Sequence, residues 1–134
     1  MDFIAPDILA GELTPVLLGF SPETVEIARR MHQKYGVLSH VFCDRVPFAM
    51  RLSLFMKFHF VQHTKNEALM VQALTDFAEP VKHADVILYL IPCNEDYAGM
   101  LWEHGDLLES RFVVATEEQI ERILSNEDKK EEQT

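Results

Sequence analysis

The run Val86-Ile-Leu-Tyr-Leu-Ile91 constrains this chain more than any other segment. The apolar residues stop at Pro92, a short polar turn Cys93-Asn94-Glu95-Asp96 follows, and an amphipathic helical pattern carries on through Trp102. A strand apolar on both alternating faces must be covered on both sides, which predicts a parallel sheet between layers of helices. In such sheets ligands collect beyond the carboxyl ends of the strands, so the turn after Ile91 is a candidate site. An architecture follows from this segment, but not a reaction.

The rest of the chain agrees with that frame. Its 134 residues fit one domain with a real core. Of the formal charge of −10, part sits in Glu127-Asp-Lys-Lys-Glu-Glu132, and the remainder is still strongly acidic. That balance argues against nucleic acid and against an anionic membrane surface as partners, because both are recognised by basic patches. No apolar run approaches the ~20 residues of a membrane span. The N-terminus lacks the basic start and long apolar core of a signal peptide, so a cytoplasmic protein is expected.

Residues 1–13, with Pro6 and Gly11, read as an irregular lead-in with one helical turn at Asp7–Leu9. The folded domain is expected over 14–125, and the charged stretch 126–134 is predicted to be disordered. Val16–Gly19 reads as a strand. Ser21-Pro22-Glu23 then starts a helix, with serine as N-cap and proline in the first turn, and Val25, Ala28, Met31 and Tyr35 line one face. Gly36 suits a left-handed C-cap.

Strands follow at Ser39–Cys43 and Lys57–Gln62, separated by an apolar segment, Pro47–Phe55, that reads as a turn plus a short helix. Thr64 and Glu67 have capping-box spacing for a helix to about Ala78 that buries Leu69, Ala73, Leu74 and Phe77. After Val86–Ile91 come a helix from Glu95 to about Glu103, a short turn at Leu107-Leu108, and a strand at Arg111–Ala115. Thr116 and Gln119 form a second capping box, for a helix to about Leu124. This alternation predicts an α/β three-layer sandwich with a five-stranded parallel sheet in the order 3-2-1-4-5.

The order places the turns at Gly19–Ser21 and Cys93–Asp96 side by side at the point where the strand order reverses. The first turn, Gly19-Phe20-Ser21-Pro22, lacks the later glycines of a dinucleotide loop, so NAD or FAD binding is not expected. Asn94-Glu95-Asp96 has three readings: a helix cap, a ligand-facing edge, or part of a metal site. Arg51 is either a helix-surface cation with a buried stem or an anion contact at the ligand edge.

The acids and lysine of a phospho-receiver are missing. The histidines have no metal-ligand spacing, since on a strand His59 and His63 lie about 13 Å apart. Cys43 and Cys93 end strands that are second neighbours, about 10 Å apart, and are expected to be free thiols.

Thr14-Pro-Val-Leu-Leu-Gly19, the helix end Ala28-Arg-Arg-Met-His-Gln-Lys-Tyr-Gly36, Ala49-Met-Arg51-Leu-Ser53, Ile91-Pro-Cys-Asn-Glu-Asp96 and Trp102-Glu-His-Gly-Asp-Leu-Leu108 leading into Arg111-Phe-Val-Val114 resemble one known family. They look like the pre-ATP-grasp domain, the Rossmann-like N-terminal unit of ATP-grasp carboxylate–amine ligases in the D-aspartate ligase and carbamoyl-phosphate synthase large-chain branches. The resemblance covers roughly residues 12 to 120.

It implies a non-catalytic domain, as a fragment or a split subunit, with no cofactor of its own. In the parent enzyme ATP and magnesium would be held by an ATP-binding domain of the same or an adjacent polypeptide. Carried over by position, the substrate-side residues are Gly19, Phe20, Ser21, Arg51, Asn94 and Glu95, although Phe20-Ser21-Pro22 departs from the small or polar residues usual there. Two other readings remain open: a stand-alone small-molecule or nucleotide-binding module, and an interaction domain that forms a homodimer through the Met/Phe-rich stretch Ala49–Phe60.

Overall fold

The computed structural model describes residues 13–61, 67–81, 86–93 and 95–133. Five parallel strands, β1 (Leu13–Leu18), β2 (Ser39–Cys43), β3 (Met56–Phe60), β4 (Ile87–Pro92) and β5 (Val113–Val114), form one sheet in the expected order, β3-β2-β1-β4-β5. Helices α1 (Pro22–Tyr35) and α5 (Glu117–Gln133) cover one face. Helices α2 (Glu67–Ala78), α3 (Glu95–Glu103) and α4 (Gly105–Glu109) belong to the other. The helical turn expected at Asp7–Leu9 and Thr64 of the first capping box lie outside the described residues.

The two-sided character of β4 is met in full. Tyr89 and Ile91 enter the core under α1 and α5, while Leu88 and Leu90 enter the core under α2 and α3. β1 does the same, with Leu13 and Leu17 on the first side and Val16 and Leu18 on the second. Each such side chain contributes about 1.5–3 kcal/mol by leaving water. β1 begins at Leu13 rather than Val16, running through Pro15. Pairing with β2 starts only at Val16, so Pro15 sits where the strand still has one open side.

The helix starts follow their local chemistry. Ser21 caps α1, and the Gly36 N–H at φ +67° closes it by donating to the His32 carbonyl. At α5 the Thr116 N–H donates to Gln119 Oε1 (3.0 Å) and the Gln119 N–H donates to Thr116 Oγ1 (3.1 Å), which is the reciprocal box expected there. The buried Tyr89 hydroxyl of β4 also donates to Gln119 Oε1 at 3.2 Å, tying the cap to the sheet. Arg30 of α1 donates to the Ile123 carbonyl (3.1 Å) and the Leu124 carbonyl, which clasps α5 against its neighbour.

Several expectations need correcting. The buried residues of α2 are Met70, Val71, Leu74 and Ala78, whereas Leu69 is 45% exposed. Apolar residues occur around most of that helix, so its sequence has no polar stripe to set its rotation. The buried residues of α1 likewise include Thr24 and Ile27, with Val25 and Tyr35 only partly covered.

β3 is Met56–Phe60, one register step earlier than expected at its start, and β5 is only Val113–Val114. Helix α5 runs past the expected end at Leu124 to Gln133. No glycine or proline follows Thr116 to stop it. The segment Pro47–Phe55, read as a turn plus a short helix, holds a short 3-10 turn at Phe48–Leu52, as expected.

Candidate functional site

At the carboxyl edge of the sheet, β1 and β4 end side by side. The Cys93 N–H donates to the Leu18 carbonyl at 2.9 Å, and the Gly19 N–H donates to the Phe42 carbonyl at 2.8 Å. Gly19 turns the chain at φ +93°, a backbone conformation that favours glycine. Ser21 and Thr24 then fill the turn. Thr24 Oγ1 donates to the Gly19 carbonyl (2.8 Å) and accepts from the Ser21 N–H (3.0 Å), while the Thr24 N–H donates to Ser21 Oγ at 3.4 Å.

Thr24 is fully buried. The amides of Ser21, Thr24 and Val25 are all engaged within the turn. A pyrophosphate needs such amides open and needs glycine where Ser21 and Thr24 stand, so this turn is not a dinucleotide loop. Thr24 was not among the residues singled out from the sequence. The signal was its position three residues after the N-cap serine.

Phe20 is half-buried and meets the Phe58 ring edge-on, with centroids 6.1 Å apart, so it braces the turn against β3's side of the core. Glu95 opens α3 and is exposed beside the turn, and Asn94 lies outside the described residues. The structure therefore brings Gly19, Phe20, Ser21 and Glu95 to one edge. Arg51, in the 3-10 turn, lies further out along the same carboxyl edge, with its guanidinium 5.0 Å from the centre of the Phe60 ring at the end of β3 and its charge acting on Cys43 at the end of β2. An exposed contact of this kind contributes about 0.5–1 kcal/mol.

The two thiols are free and buried, as expected. Burial pushes Cys93 up to about 12, against a lowering contact with the Thr24 side chain. Burial, then the Asp44 charge, pushes Cys43 up to about 11. Neither is a nucleophile near neutral pH. Magnesium with ATP does not fit this edge either. Glu95 and Asp96 are adjacent on one helix, and among the described residues no third ligating side chain joins them.

Two clusters were not foreseen. His40 Nδ1 and His59 Nε2 lie 2.8 Å apart on the face under α2. Glu67, Glu103 and His104 bring one ligand atom each to within 4.8 Å of one another, where α2 begins and α3 ends, and these are the described residues that could hold a metal ion. His104 Nε2 stands 3.6 Å from Glu67 Oε2. Both clusters join residues far apart in the chain, which spacing cannot reveal.

No family model matches the chain, and a search of curated proteins found no match. The α/β order and the geometry of the sheet's carboxyl edge therefore carry the functional argument.

Proposed function

We propose that this chain is a non-catalytic, Rossmann-like N-terminal unit of an ATP-grasp carboxylate–amine ligase, acting in the cytoplasm. In such an enzyme ATP turns a carboxylate into an acyl phosphate, and an amine attacks it. ATP and magnesium would be held by a separate ATP-binding module of the same or an adjacent polypeptide. The contribution of this chain would be one wall of the acceptor-substrate site, made by Gly19, Phe20, Ser21 and Glu95 with Asn94.

The observation that carries this reading is the turn after β1, whose amides are engaged by Ser21 and Thr24 at the switch point of a 3-2-1-4-5 sheet. Such an edge lies where ligands collect in sheets of this order but offers neither a phosphate cradle nor a reactive thiol. A wall with no chemistry of its own fits a domain that serves a catalytic neighbour. The resemblance of residues 12 to 120 to the pre-ATP-grasp domain names that neighbour.

The test reads the coding sequence on either side of these residues and assays ADP release. A continuous or adjacent reading frame encoding an ATP-grasp module, with ADP release that needs both parts, supports the reading. ADP release by this chain alone would overturn it, as would the lack of any such module. A thermal shift with nucleotides or amino acids in the isolated chain would favour a stand-alone binding module instead.

A further inference from the structure

The charges of this chain are sorted by region. Between Asp44 and Glu67 there is no acidic residue, and Arg45, Arg51 and Lys57 there are all exposed. Between Lys82 and Arg111 there is neither lysine nor arginine, while Glu95, Asp96, Glu103, Asp106 and Glu109 are all exposed. In a chain of net charge −10 the first stretch is a local exception.

Each region also carries uncovered apolar surface. In the basic one, the short 3-10 turn stands where a crossover helix would cover the sheet. Phe48 and Leu52 are each 77% exposed, and Leu54 is 90% exposed. β3 beside them is a terminal strand of the sheet, so its outer edge has no partner strand among the described residues.

In the acidic region Trp102 is 81% exposed on α3. Glu95 lies two helical turns before it on the same face. Ala98 and Gly99, one turn before, are small, and among the described residues nothing beyond the helix's own backbone and the chain neighbours of Gly99 lies within 4 Å of where a Gly99 Cβ would be. Large aromatic and leucine side chains left in water at such densities mark an interaction surface.

We propose that copies of this chain associate head to tail, with the basic apolar edge of one copy (Phe48, Arg51, Leu52, Leu54) seated on the acidic Trp102 face of the next. A two-fold dimer through either patch would oppose like charges, three cations to three or acids to acids. The heterologous contact pairs opposite charges and covers both sets of apolar residues. It also offers an indole to the guanidinium of Arg51 or Arg45, and indole is the best aromatic acceptor for a cation. The two patches sit towards opposite ends of the strand order, so the contact leaves a free patch of each kind and extends to rings or chains. This inference does not depend on the ligase reading.

Sedimentation velocity of the whole chain tests it. At high micromolar concentration and low salt, the mass should exceed the 15.5 kDa of one chain and fall back toward it in about 1 M salt, where the Debye length is near 3 Å. The double variant Phe48→Asp with Leu54→Asp, and separately Trp102→Lys, should each sediment as a monomer with an unchanged circular dichroism spectrum. Mixed together they should form a 1:1 complex, because each retains the half that the other has lost.

A wild-type chain that stays monomeric overturns the proposal, including one that instead binds phosphatidylserine vesicles. So does an assembly that survives Trp102→Lys, or a mixture that remains two monomers.

Discussion

His40 Nδ1 and His59 Nε2 lie 2.8 Å apart on neighbouring strands, so one imidazole donates to the other. Phe42 stacks on His59 at 4.6 Å, and the Phe77 ring of α2 lies 4.9 Å from His40. The pair is a neutral hydrogen-bonded unit in an aromatic box. Protonating the nitrogen that accepts within the pair would set two N–H groups against each other.

That arrangement predicts a pH dependence of stability. Burial, then the charges of His59 and Lys57, hold His40 down to about 4, and burial and Lys57 also lower His59. The unfolded chain takes up protons below about pH 6.5, whereas the native pair resists until near the lowered value. This contribution is therefore complete above pH 6.5 and is lost as pH falls toward 4. The urea midpoint should be lower at pH 5 than at pH 7.5, and the difference should shrink in His40→Gln. Equal pH dependence in the variant and the parent would refute the account.

The thiols should be silent in the native state. With Cys43 and Cys93 pushed up to about 11 and about 12, and both buried, iodoacetamide at pH 8 should leave them largely unmodified. In denaturant both should react, adding two carbamidomethyl groups by mass spectrometry. Rapid alkylation of the folded chain would contradict the buried placement.

Thr24→Val keeps the shape of the side chain but removes the hydroxyl that donates to the Gly19 carbonyl and accepts from the Ser21 N–H. Leaving those groups unsatisfied should cost about 1–3 kcal/mol in chemical denaturation. Ser21→Ala, which loses the N-cap, should cost about 1 kcal/mol. The two residues share one box, so the double variant should lose less than the two single losses together.

Ser39 goes the other way. Its side chain is fully buried at the start of β2, and its Oγ has no hydrogen-bond partner among the described residues. Removing a buried hydroxyl that makes no bond relieves a desolvation cost, so Ser39→Ala should be neutral or should stabilise by up to about 1 kcal/mol. A clear loss of stability would mean that the hydroxyl is bonded.

Much of the fold was legible because its determinants are local or periodic. The helix start at Ser21-Pro22, the left-handed close at Gly36 and the Thr116–Gln119 box are decided within four residues of chain. Thr24 was less legible, since its donor bond reaches back to Gly19 as well as joining the cap. Of the candidate site, Gly19, Phe20, Ser21 and Glu95 gather at one edge because strand order alone places them there. Arg51 reaches the outer part of the same edge, beside Cys43 and Phe60, from a 3-10 turn whose path no periodicity announces.

The sequence by itself determined the layered α/β frame. Six apolar residues at Val86–Ile91 suit a strand buried on both faces of a parallel sheet, and the alternation of strands and helices pointed to the order 3-2-1-4-5 that the sheet adopts. Tertiary structure alone decided which side of α2 faces the sheet, that His40 meets His59, that Arg30 clasps α5, and that Phe48, Leu52, Leu54 and Trp102 stay in water. Those outcomes depend on strand register, helix rotation and what the rest of the chain leaves uncovered. Such quantities are set by packing between residues far apart in sequence, and no local pattern encodes them.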